Sequence, residues 1–549
     1  MEKKLLLGDE AIALGAIHAG IRGVYAYPGT PSTEITEYIQ RHPLARARGL
    51  HSTWCTNEKT AVEAALGASY AGARVIACMK HVGLNVAADA FVNAAITGVN
   101  GGMIVVVADD PSMHSSQNEQ DSRFYGKFSM ITTLEPSTQQ EAYDMMQYGF
   151  ELSEREKLPV LMRIVMRLAH SRAAVTVKEE AEEVRALPCA KDPASWVLLP
   201  ANSRRKYAAL VEQQPRLEQA AAEAPYTRYE QAAAEAPYTR YEQASGEKPV
   251  GILACGIGYN YVTEVREAAE KFNILKITQY PLPADLVRRL AADSREILVV
   301  EDGQPFAEEL VRGMLSADYP VRGRLTGDLP RTGELTPDSV AAAMGHRPER
   351  YFEAPKNVVG RPPALCQGCG HRDVYTALNE VVKEYPDARV FADIGCYTLG
   401  ALPPFRAIDT CLDMGASITM AKGAADAGVF PAIAVIGDST FTHSGMTGLL
   451  DAVNDKAQIT VIISDNLTTA MTGGQDSAGT NKFEAICLGL GVEPEHVRVV
   501  VPLPKNMEEI TRILREEIEY KGVSVIIPRR ECIQTLNRKL KQKRAEKKA

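Results

Sequence analysis

Two polar side chains follow two successive apolar runs in the C-terminal third of the chain. Asp438 comes after Gly437 at the end of the first run, and Asn466, 28 residues later, comes after Asp465 at the end of the second. Either pair alone is typical of a tight turn that ends a strand. Together, a carboxylate and an amide are hard oxygen ligands that suit Mg²⁺ carrying a diphosphate. The spacing therefore predicts a magnesium–diphosphate site, provided that the fold brings the two residues together.

The segments around these residues predict one βαβ unit. Its buried strands are PAIAVI (431–436) and ITVIIS (459–464), and its amphipathic helix is HSGMTGLLDAVND (443–455). In such a unit the two strands are parallel, and their carboxyl ends lie at the same edge of the sheet. Asp438 and Asn466 are therefore expected side by side at that edge.

The pattern resembles the metal motif of thiamine diphosphate enzymes, in which Gly-Asp is followed by Asn one βαβ unit later. The stretches GDSTFTHSG (437–445) and DNLTTAMTGGQ (465–475) are similar to the alpha subunits of indolepyruvate:ferredoxin oxidoreductases. Those subunits belong to the thiamine diphosphate-dependent 2-oxoacid:ferredoxin oxidoreductases. The resemblance implies that Mg²⁺ is bound by Asp438, Asn466 and the backbone carbonyl of Thr468.

Other segments resemble the same family at both ends of the chain. In the region that the resemblance assigns to the diphosphate of the cofactor, these are CQGCGHRDVY (366–375), DIGCYTLG (393–400) and MGASITMAKG (414–423). In the region assigned to its pyrimidine ring, they are YPGTPSTEI (27–35), NEKTAVEAALGASYAGAR (57–74), KHVGLNVAADAF (80–91) and ADDPSMHSSQNEQDSR (108–123). The cofactor-binding residues so implied are Glu58, Cys366, Gly368, Cys369, His371, Gly395, Cys396, Ser417, Ile418, Gly437, Asp438, Ser439, Thr440, Asn466, Thr468, Ala470 and Met471.

Three residues are expected to take part in the reaction, and the resemblance implies the first of them. Glu58 occupies the position of the carboxylate that stabilises the imino form of the cofactor's aminopyrimidine, which removes the proton from the thiazolium ring. A glutamate in the first turn of a predicted helix is also explained by the helix dipole alone. Thr30 and Arg123 are candidates for the substrate side, since a guanidinium can bind a 2-oxoacid carboxylate through two hydrogen bonds.

The ten cysteines form neither a disulfide framework nor a ferredoxin motif. Only Cys366 and Cys369 are close in sequence, Cys396 stands alone, and no second pair completes a zinc or iron–sulfur site. We therefore interpret CQGC as a turn whose backbone N–H groups face the cofactor's phosphates. Alpha subunits of this family commonly carry a ferredoxin-like domain with Cys-x₂-Cys-x₂-Cys-x₃-Cys-Pro runs, which the sequence lacks. We therefore expect that no [4Fe–4S] cluster is held by such a motif. We also expect that the electrons leave through a β subunit, a ferredoxin or another iron–sulfur partner.

The predicted fold class is α/β, with two doubly wound parallel-sheet domains of the thiamine diphosphate-binding type and a smaller α/β domain between them. A length of 549 residues agrees, since one core does not serve so long a chain. A Gly-x-Gly at 256–258 is expected to end a strand and not to bind a dinucleotide. The predicted regions are 1–180, the pyrimidine-binding domain; 181–247, an exposed charged linker with a tandem repeat; 248–354, the smaller, transketolase C-terminal-like domain; 355–530, the diphosphate-binding domain; and 531–549, a basic tail.

Composition and hydropathy limit the kinds of partner and the cellular location expected for the chain. It is 45% hydrophobic with a formal net charge of −8, which is typical of a soluble enzyme and argues against nucleic acid as a partner. No apolar stretch approaches the ~20 residues that span a membrane, and the N-terminus lacks a signal-peptide core. We expect a cytoplasmic protein that forms a homodimer or an α₂β₂ assembly.

Two functions are compatible with these residues. The first is the oxidative decarboxylation of a 2-oxoacid, such as indolepyruvate or another aryl pyruvate, to an acyl-CoA, with CoA as the second substrate. The alternative is a non-oxidative 2-oxoacid decarboxylase or acyl-transferring lyase that uses the same cofactor. The resemblance favours the first function, and a redox partner distinguishes the two.

Overall fold

The computed structural model describes residues 2–183, 186–188, 196–231, 248–265, 271–346, 355, 357–359 and 363–546. The chain divides into two compact units, Met1–Glu353 and Ala354–Ala549. Most of the second copy of the tandem repeat (230–241) and the end of the basic tail (547–549) lie outside the described residues. No helix within these described ranges is both long enough and apolar enough to cross a membrane.

The described part of the first unit contains three sheets. Their strands are β1 Glu2–Leu7, β2 Gly23–Ala26, β3 His51–Trp54, β4 Val75–Lys80, β5 Met103–Asp109, β6 Thr133–Leu134, β7 Val160–Val165, β8 Arg172–Val177, β9 Arg228–Glu230, β10 Gly251–Cys255, β11 Asn273–Ile277, β12 Gln279–Tyr280, β13 Ile297–Val300 and β14 Val321–Arg322. A seven-stranded sheet has the order β12-β6-β7-β5-β4-β2-β3, a five-stranded sheet has the order β14-β13-β10-β11-β9, and β1 pairs with β8.

Helices cover both faces of the seven-stranded sheet, as a doubly wound fold requires. Successive residues of β5 belong to different cores, with Ile104 and Val106 on one face and Met103 and Val105 on the other. This explains why the strand is apolar from Met103 to Ala108 instead of alternating. The helices of the first unit are Gly8–His18, Thr33–Arg41, Pro43–Ala47, Glu58–Tyr70, His81–Thr97, Arg123–Phe128, Gln139–Glu156, Met166–His170, Pro200–Ala222, Gly258–Glu264, Ala284–Asp293, Phe306–Met314 and Pro337–Ala343.

The smaller α/β region belongs to the same compact unit as the N-terminal region. Its strand β12 completes the seven-stranded sheet by pairing antiparallel with β6. Within the smaller region, β10 lies between β11 and β13 in parallel. Gly256 follows β10 with a φ of 49°, and Gly258 starts a helix, so the predicted strand-end turn at this Gly-x-Gly is confirmed.

The segment predicted as an exposed linker is packed against the first unit in its described part. The helix Pro200–Ala222 buries Leu210, Leu217 and Ala221, and β9 pairs antiparallel with β11. These residues recur with a spacing of seven and four positions, which places them on one face of a helix. This periodicity is hard to recognise in the sequence because the segment is charged and rich in alanine. The expectation of an exposed linker is wrong for these residues.

The second unit is a doubly wound domain around one parallel sheet. The six strands have the order β16-β15-β17-β18-β20-β19, and all their pairings are parallel. The strands are β15 Arg389–Ala392, β16 Thr410–Cys411, β17 Ala432–Gly437, β18 Ile459–Ser464, β19 Val497–Val500 and β20 Val523–Pro528. The longer helices are Gly370–Val382, Ala416–Asp426, Met446–Asn454, Phe483–Gly489, Met507–Glu519 and Ile533–Glu546. The predicted α/β fold class is confirmed in both units.

Candidate cofactor and redox site

Asp438 and the turn that begins at Asp465 lie at one edge of the six-stranded sheet. The strands β17 and β18 are parallel neighbours, with Gly437 paired to Ser464. Asp438 follows β17 directly and starts a helical segment, while Asp465 and Asn466 follow β18. The prediction that one βαβ unit brings both chain positions to the same edge is confirmed.

The three positions implied at the metal contact one another. The carboxyl group of Asp438 is buried, and its Oδ2 accepts a hydrogen bond of 3.1 Å from the backbone N–H of Thr468. The same N–H lies 3.2 Å from Oδ1 of Asn466. Between these residues, Leu467 has a φ of 62°, a left-handed conformation that costs a leucine about 1–2 kcal/mol. That strained turn keeps the Thr468 backbone beside Asp438.

The surroundings of Asp438 raise its pKa and suit a cation at this edge. Burial, together with the nearby charge of Asp465, raises the pKa of Asp438 to about 7. Asp465 forms an ion pair of 2.6 Å with Arg529, whereas no Lys or Arg in the described part of the chain pairs with Asp438. A buried carboxyl group in this setting binds either a proton or a cation. The oxygen donors around it are of the kind that Mg²⁺ takes.

A second buried acid, Asp393, holds the loop before the helix Ala416–Asp426. Its Oδ2 accepts hydrogen bonds from the backbone N–H groups of Gly415 and Ser417, each at 3.2 Å, and from Ser417 Oγ at 2.6 Å. Tyr397 donates its hydroxyl to the other oxygen. Burial raises the pKa of Asp393 to about 6, although these hydrogen bonds oppose the shift. Sequence reasoning missed Asp393, whose position after strand β15 was the available signal.

The ring of Tyr397 leaves no room for a side chain at two of the glycines implied at the cofactor. A Cβ atom on Gly395 would lie 2.2 Å from the Tyr397 ring, and one on Gly437 would lie 2.6 Å from it. Both glycines are therefore required for the ring to pack beneath the sheet edge. The ring lies edge-on to His371, with the two ring centroids 6.2 Å apart.

The remaining cofactor positions divide into buried and exposed groups. Burial lowers the pKa of His371 to about 4, so the imidazole is neutral at physiological pH. Thr440 donates its hydroxyl to the carbonyl of Ile394 at 2.9 Å. The other buried positions are Ser417, Ile418, Ser439 and Thr468. Ala470 is half-buried and Met471 is half-exposed, on the 3₁₀ helix Ala470–Thr472.

Four cysteines meet around one cavity in the second unit. Cys366, Cys369, Cys396 and Cys532 all line a cavity of about 120 Å³ that Asp465 and Asn466 also line. Burial, reinforced by the three other thiols, raises the pKa of Cys396 to about 12. The interpretation of Cys396 as an isolated residue is therefore wrong, because the fold brings Cys532 to it from beyond β20. The signal was available, since β20 neighbours β18 and ends at the same sheet edge.

The sulfur positions do not fit a single zinc ion. Zn–S bonds of about 2.3 Å place tetrahedral sulfur ligands about 3.8 Å apart. Among the described residues, no three of these four sulfur atoms lie within 4.8 Å of one another. The turn predicted at CQGC is confirmed, with Gly368 at a φ of 75°.

In the first unit, Glu58 starts the helix Glu58–Tyr70 and is 5% exposed. The Asn57 side chain caps this helix by accepting a hydrogen bond of 2.9 Å from the Thr60 N–H. The Glu58 side chain lies against Gly83 in the next helix, where an added Cβ would be 2.6 Å from Cγ and from Oε1 of Glu58. Gly83 thus leaves the space that the glutamate occupies. Sequence reasoning did not identify this glycine.

The loop that carries Thr30 is held by a network around Lys80. The N–H of Gly29 donates to Thr33 Oγ1 at 3.0 Å, and Ser115 Oγ donates to the carbonyl of Thr30 at 3.3 Å. Lys80 Nζ in turn donates to the Ser115 carbonyl at 2.6 Å. Burial lowers the pKa of Lys80 to about 8. Lys80 is a cationic group, missed from the sequence, behind the predicted substrate residue Thr30.

Arg123, predicted to bind the substrate carboxylate, lies inside an ion-pair network. It is 0% exposed, with Nη1 2.9 Å from Glu301 Oε2 and Nη2 2.5 Å from Asp121 Oδ2. Nε donates to Asp121 Oδ1 at 2.9 Å, and Nη2 also approaches the carbonyls of Asp302 and Gln304. Because its nitrogens already have partners and none reaches the surface, this arrangement does not support Arg123 as a substrate ligand.

Two protein-family models match the chain. The thiamine diphosphate-binding model of pyruvate flavodoxin/ferredoxin oxidoreductases matches residues 14–242. The C-terminal TPP-binding domain model of thiamine pyrophosphate enzymes matches residues 393–527. The second match includes β17, β18 and the turn between Asn466 and Thr468.

Relatives match almost the whole chain. The indolepyruvate oxidoreductase subunit IorA of Archaeoglobus fulgidus is 38% identical, over 97% of this chain and 86% of that protein. Subunit IorA of Pyrococcus horikoshii is 36% identical with the same coverage. Subunit IorA of Methanothermobacter thermautotrophicus is 37% identical, over 97% of this chain and 87% of that protein.

Proposed function

This chain belongs to the family of indolepyruvate oxidoreductase subunits, and from that premise we propose that it is the thiamine diphosphate-binding, catalytic subunit of a 2-oxoacid oxidoreductase. The reaction is the oxidative decarboxylation of an aryl pyruvate such as indolepyruvate to an acyl-CoA. The electrons pass to an iron–sulfur acceptor on a partner. The observation that carries the proposal is the contact of Asp438 and Asn466 with the Thr468 backbone at the sheet edge.

We propose that Asp438, Asn466 and the Thr468 carbonyl hold Mg²⁺ and, through it, the diphosphate. The buried carboxyl group would supply one negative charge and the turn would supply neutral oxygens, a donor set that suits Mg²⁺. When bound, thiamine diphosphate supplies the nucleophilic carbon that adds to the 2-oxo group. Asp393 lies at the end of strand β15, which pairs with β17, and it holds the loop before the helix Ala416–Asp426.

Glu58 and the Thr30 loop serve the reacting end of the cofactor in this proposal. Glu58 is the carboxyl group placed for the cofactor's aminopyrimidine, and its contact with Gly83 fixes the position of that carboxyl group. Thr30 orients the 2-oxoacid. The Lys80 ammonium group holds the loop from behind, through Ser115.

We further propose that Cys366, Cys369, Cys396 and Cys532 bind an iron–sulfur cluster without a ferredoxin-type motif. Four thiolates are the ligand set of a [4Fe–4S] cluster, and such a cluster is larger than a single ion. Asp465 and Asn466 line the same cavity, so a cluster there would lie next to the metal-binding turn. This observation favours the oxidative function over a non-oxidative lyase, which has no use for an electron carrier.

The function is tested with the purified protein and its β subunit. Indolepyruvate, CoA and an electron-accepting dye are combined, and each is omitted in turn. We expect dye reduction that requires both CoA and indolepyruvate and that Asp438→Ala abolishes. Release of an aldehyde at the same rate without dye would instead identify the non-oxidative alternative.

The cluster is tested by iron and acid-labile sulfide analysis after anaerobic reconstitution, with EPR of the reduced protein. We expect about four irons per chain by the usual cluster stoichiometry, lost in Cys396→Ser. Cys411→Ser is the matched control, because Cys411 is exposed and does not line the cavity. Equal iron content in the two variants would refute the assignment.

A further inference from the structure

Three helices of the first unit bring together a donor set that the proposed reaction does not use. Asp9 lies in the first turn of Gly8–His18, Glu34 in the first turn of Thr33–Arg41, and His170 ends Met166–His170. One carboxylate oxygen of each acid and one imidazole nitrogen lie within 4.8 Å of one another. Residues this far apart in sequence meet only because the helices pack together.

The Asp9 carboxyl group is buried without a hydrogen-bond partner among the described residues. It is 0% exposed, and both of its oxygens lack a partner within that part of the chain. Burying a carboxyl group without a partner is strongly unfavourable. Burial and the charges of Glu34 and Glu10 raise the pKa of Asp9 well above its usual range.

The neighbouring cations do not compensate Asp9. Arg172 and Arg41 both approach Glu10, at 3.1 and 3.6 Å, and no Lys or Arg in the described ranges pairs with Asp9. Oε2 of Glu34 is buried and contacts His170 Nε2 at 3.5 Å. Burial opposes ionisation of Glu34, but the contact with His170 and the charge of Arg41 lower its pKa. Two acids and one imidazole therefore converge with a deficit of positive charge.

We propose that Asp9, Glu34 and His170 bind a divalent transition-metal cation. Two carboxylates and one imidazole are a donor set for Mn²⁺, Fe²⁺ or Zn²⁺. The side chains of Glu34 and His170 are 33% and 32% exposed, which gives an ion a path to the buried Asp9. The ion ties the helix that follows the Thr30 loop to two other helices of the unit. Asp9, Glu34 and His170 belong to the first unit, whereas Asp438 and the four cavity cysteines belong to the second. The proposed metal site does not depend on the proposed reaction.

Mn²⁺ is the probe, because thiolates prefer softer ions. Full-length protein is stripped with a chelator and titrated with Mn²⁺ without thiamine diphosphate, and binding is followed by EPR and by metal analysis after dialysis. We expect one equivalent to bind at Asp9, Glu34 and His170, also in Asp438→Ala, and to raise the unfolding temperature. Asp9→Asn and His170→Gln should each weaken binding about 100-fold or more, since even outer partners of a metal contribute 10–100-fold.

Asp285→Asn is the matched control, because the Asp285 side chain is 96% exposed. Asp438→Ala reports any Mn²⁺ at the other carboxylate, which must persist in Asp9→Asn. The alternative to a bound metal is a proton shared between Asp9 and Glu34. In that case wild-type protein and Asp9→Asn bind equal Mn²⁺, and Asp9→Asn is as stable as the wild type or more so, which overturns the proposal.

Discussion

If Asp438 holds the metal as proposed, its raised pKa should make cofactor binding pH-dependent. Its carboxyl group must lose a proton before it can hold Mg²⁺, and burial raises its pKa to about 7. Below that pH, protons compete with the ion. We expect the affinity for Mg²⁺–thiamine diphosphate to fall by up to about tenfold for each pH unit below 7 and to level off above it.

Isothermal titration calorimetry across this range measures the effect. Repeating the titration in buffers of different ionisation enthalpy should show that binding at pH 6 releases close to one proton. Asp438→Asn should bind weakly with little pH dependence. An affinity of the wild type that does not change from pH 6 to pH 8 would contradict the assignment.

Gly83 offers a residue-level test of how Glu58 is placed. A methyl group at Gly83 overlaps Cγ and Oε1 of Glu58, so Gly83→Ala displaces the carboxyl group by roughly an ångström. We expect cofactor affinity to remain and proton exchange at the thiazolium C2 to slow about 100-fold, the usual effect of such a displacement. NMR of the bound cofactor in D₂O measures the exchange.

The control for Gly83→Ala is Gly67→Ala. Gly67 lies within the helix that Glu58 starts, and a Cβ there meets nothing within 4 Å. This variant should exchange at the wild-type rate. If Gly83→Ala exchanged as fast as the control, the contact with Gly83 would have no part in positioning Glu58.

At the scale of elements, the helix Pro200–Ala222 belongs to the core of the first unit. Leu217 is 0% exposed and packs in the same core as β4 and β5. We expect Leu217→Ala to lower the free energy of unfolding by about 2–5 kcal/mol, measured by urea denaturation. Val211→Ala, on the same helix with Val211 46% exposed, should change it by less than about 0.5 kcal/mol. Equal effects would mean that this helix is the exposed linker that composition suggested.

At the scale of the whole molecule, buried ion pairs join the two larger sheets of the first unit. Arg123 contacts Asp121 beside the seven-stranded sheet and Glu301 beyond β13 of the five-stranded sheet. Removing one member of a buried network leaves its partners charged and unpaired. We expect Arg123→Met to lower the free energy of unfolding by about 3–5 kcal/mol. Guanidinium denaturation followed by circular dichroism measures it.

The exposed pair of Arg288 and Asp285 supplies the control for Arg123. Arg288→Met should change stability by less than about 1 kcal/mol, since exposed pairs contribute little. A variant Arg123→Met as stable as this control would show that the arginine is free in solution and available to a substrate.

The sequence by itself determined the edge of the second unit at which the cofactor is expected. Asp438 and Asn466 were found because one βαβ unit separates them, and the parallel arrangement of such a unit follows from local periodicity. Gly437, Gly395 and the CQGC turn followed from the same reasoning and from resemblance. These features depend on neighbours along the chain or on one adjacent strand.

Only the tertiary structure decided which distant side chains meet. Cys396 and Cys532 line one cavity although they are 136 residues apart, and Arg123 forms an ion pair with Glu301, 178 residues away. Sequence spacing carries no record of such contacts, because packing between elements sets them and no local pattern repeats with their period. The same reason hid the buried face of Leu217, the place of Glu58 against Gly83, and the convergence of Asp9 with His170.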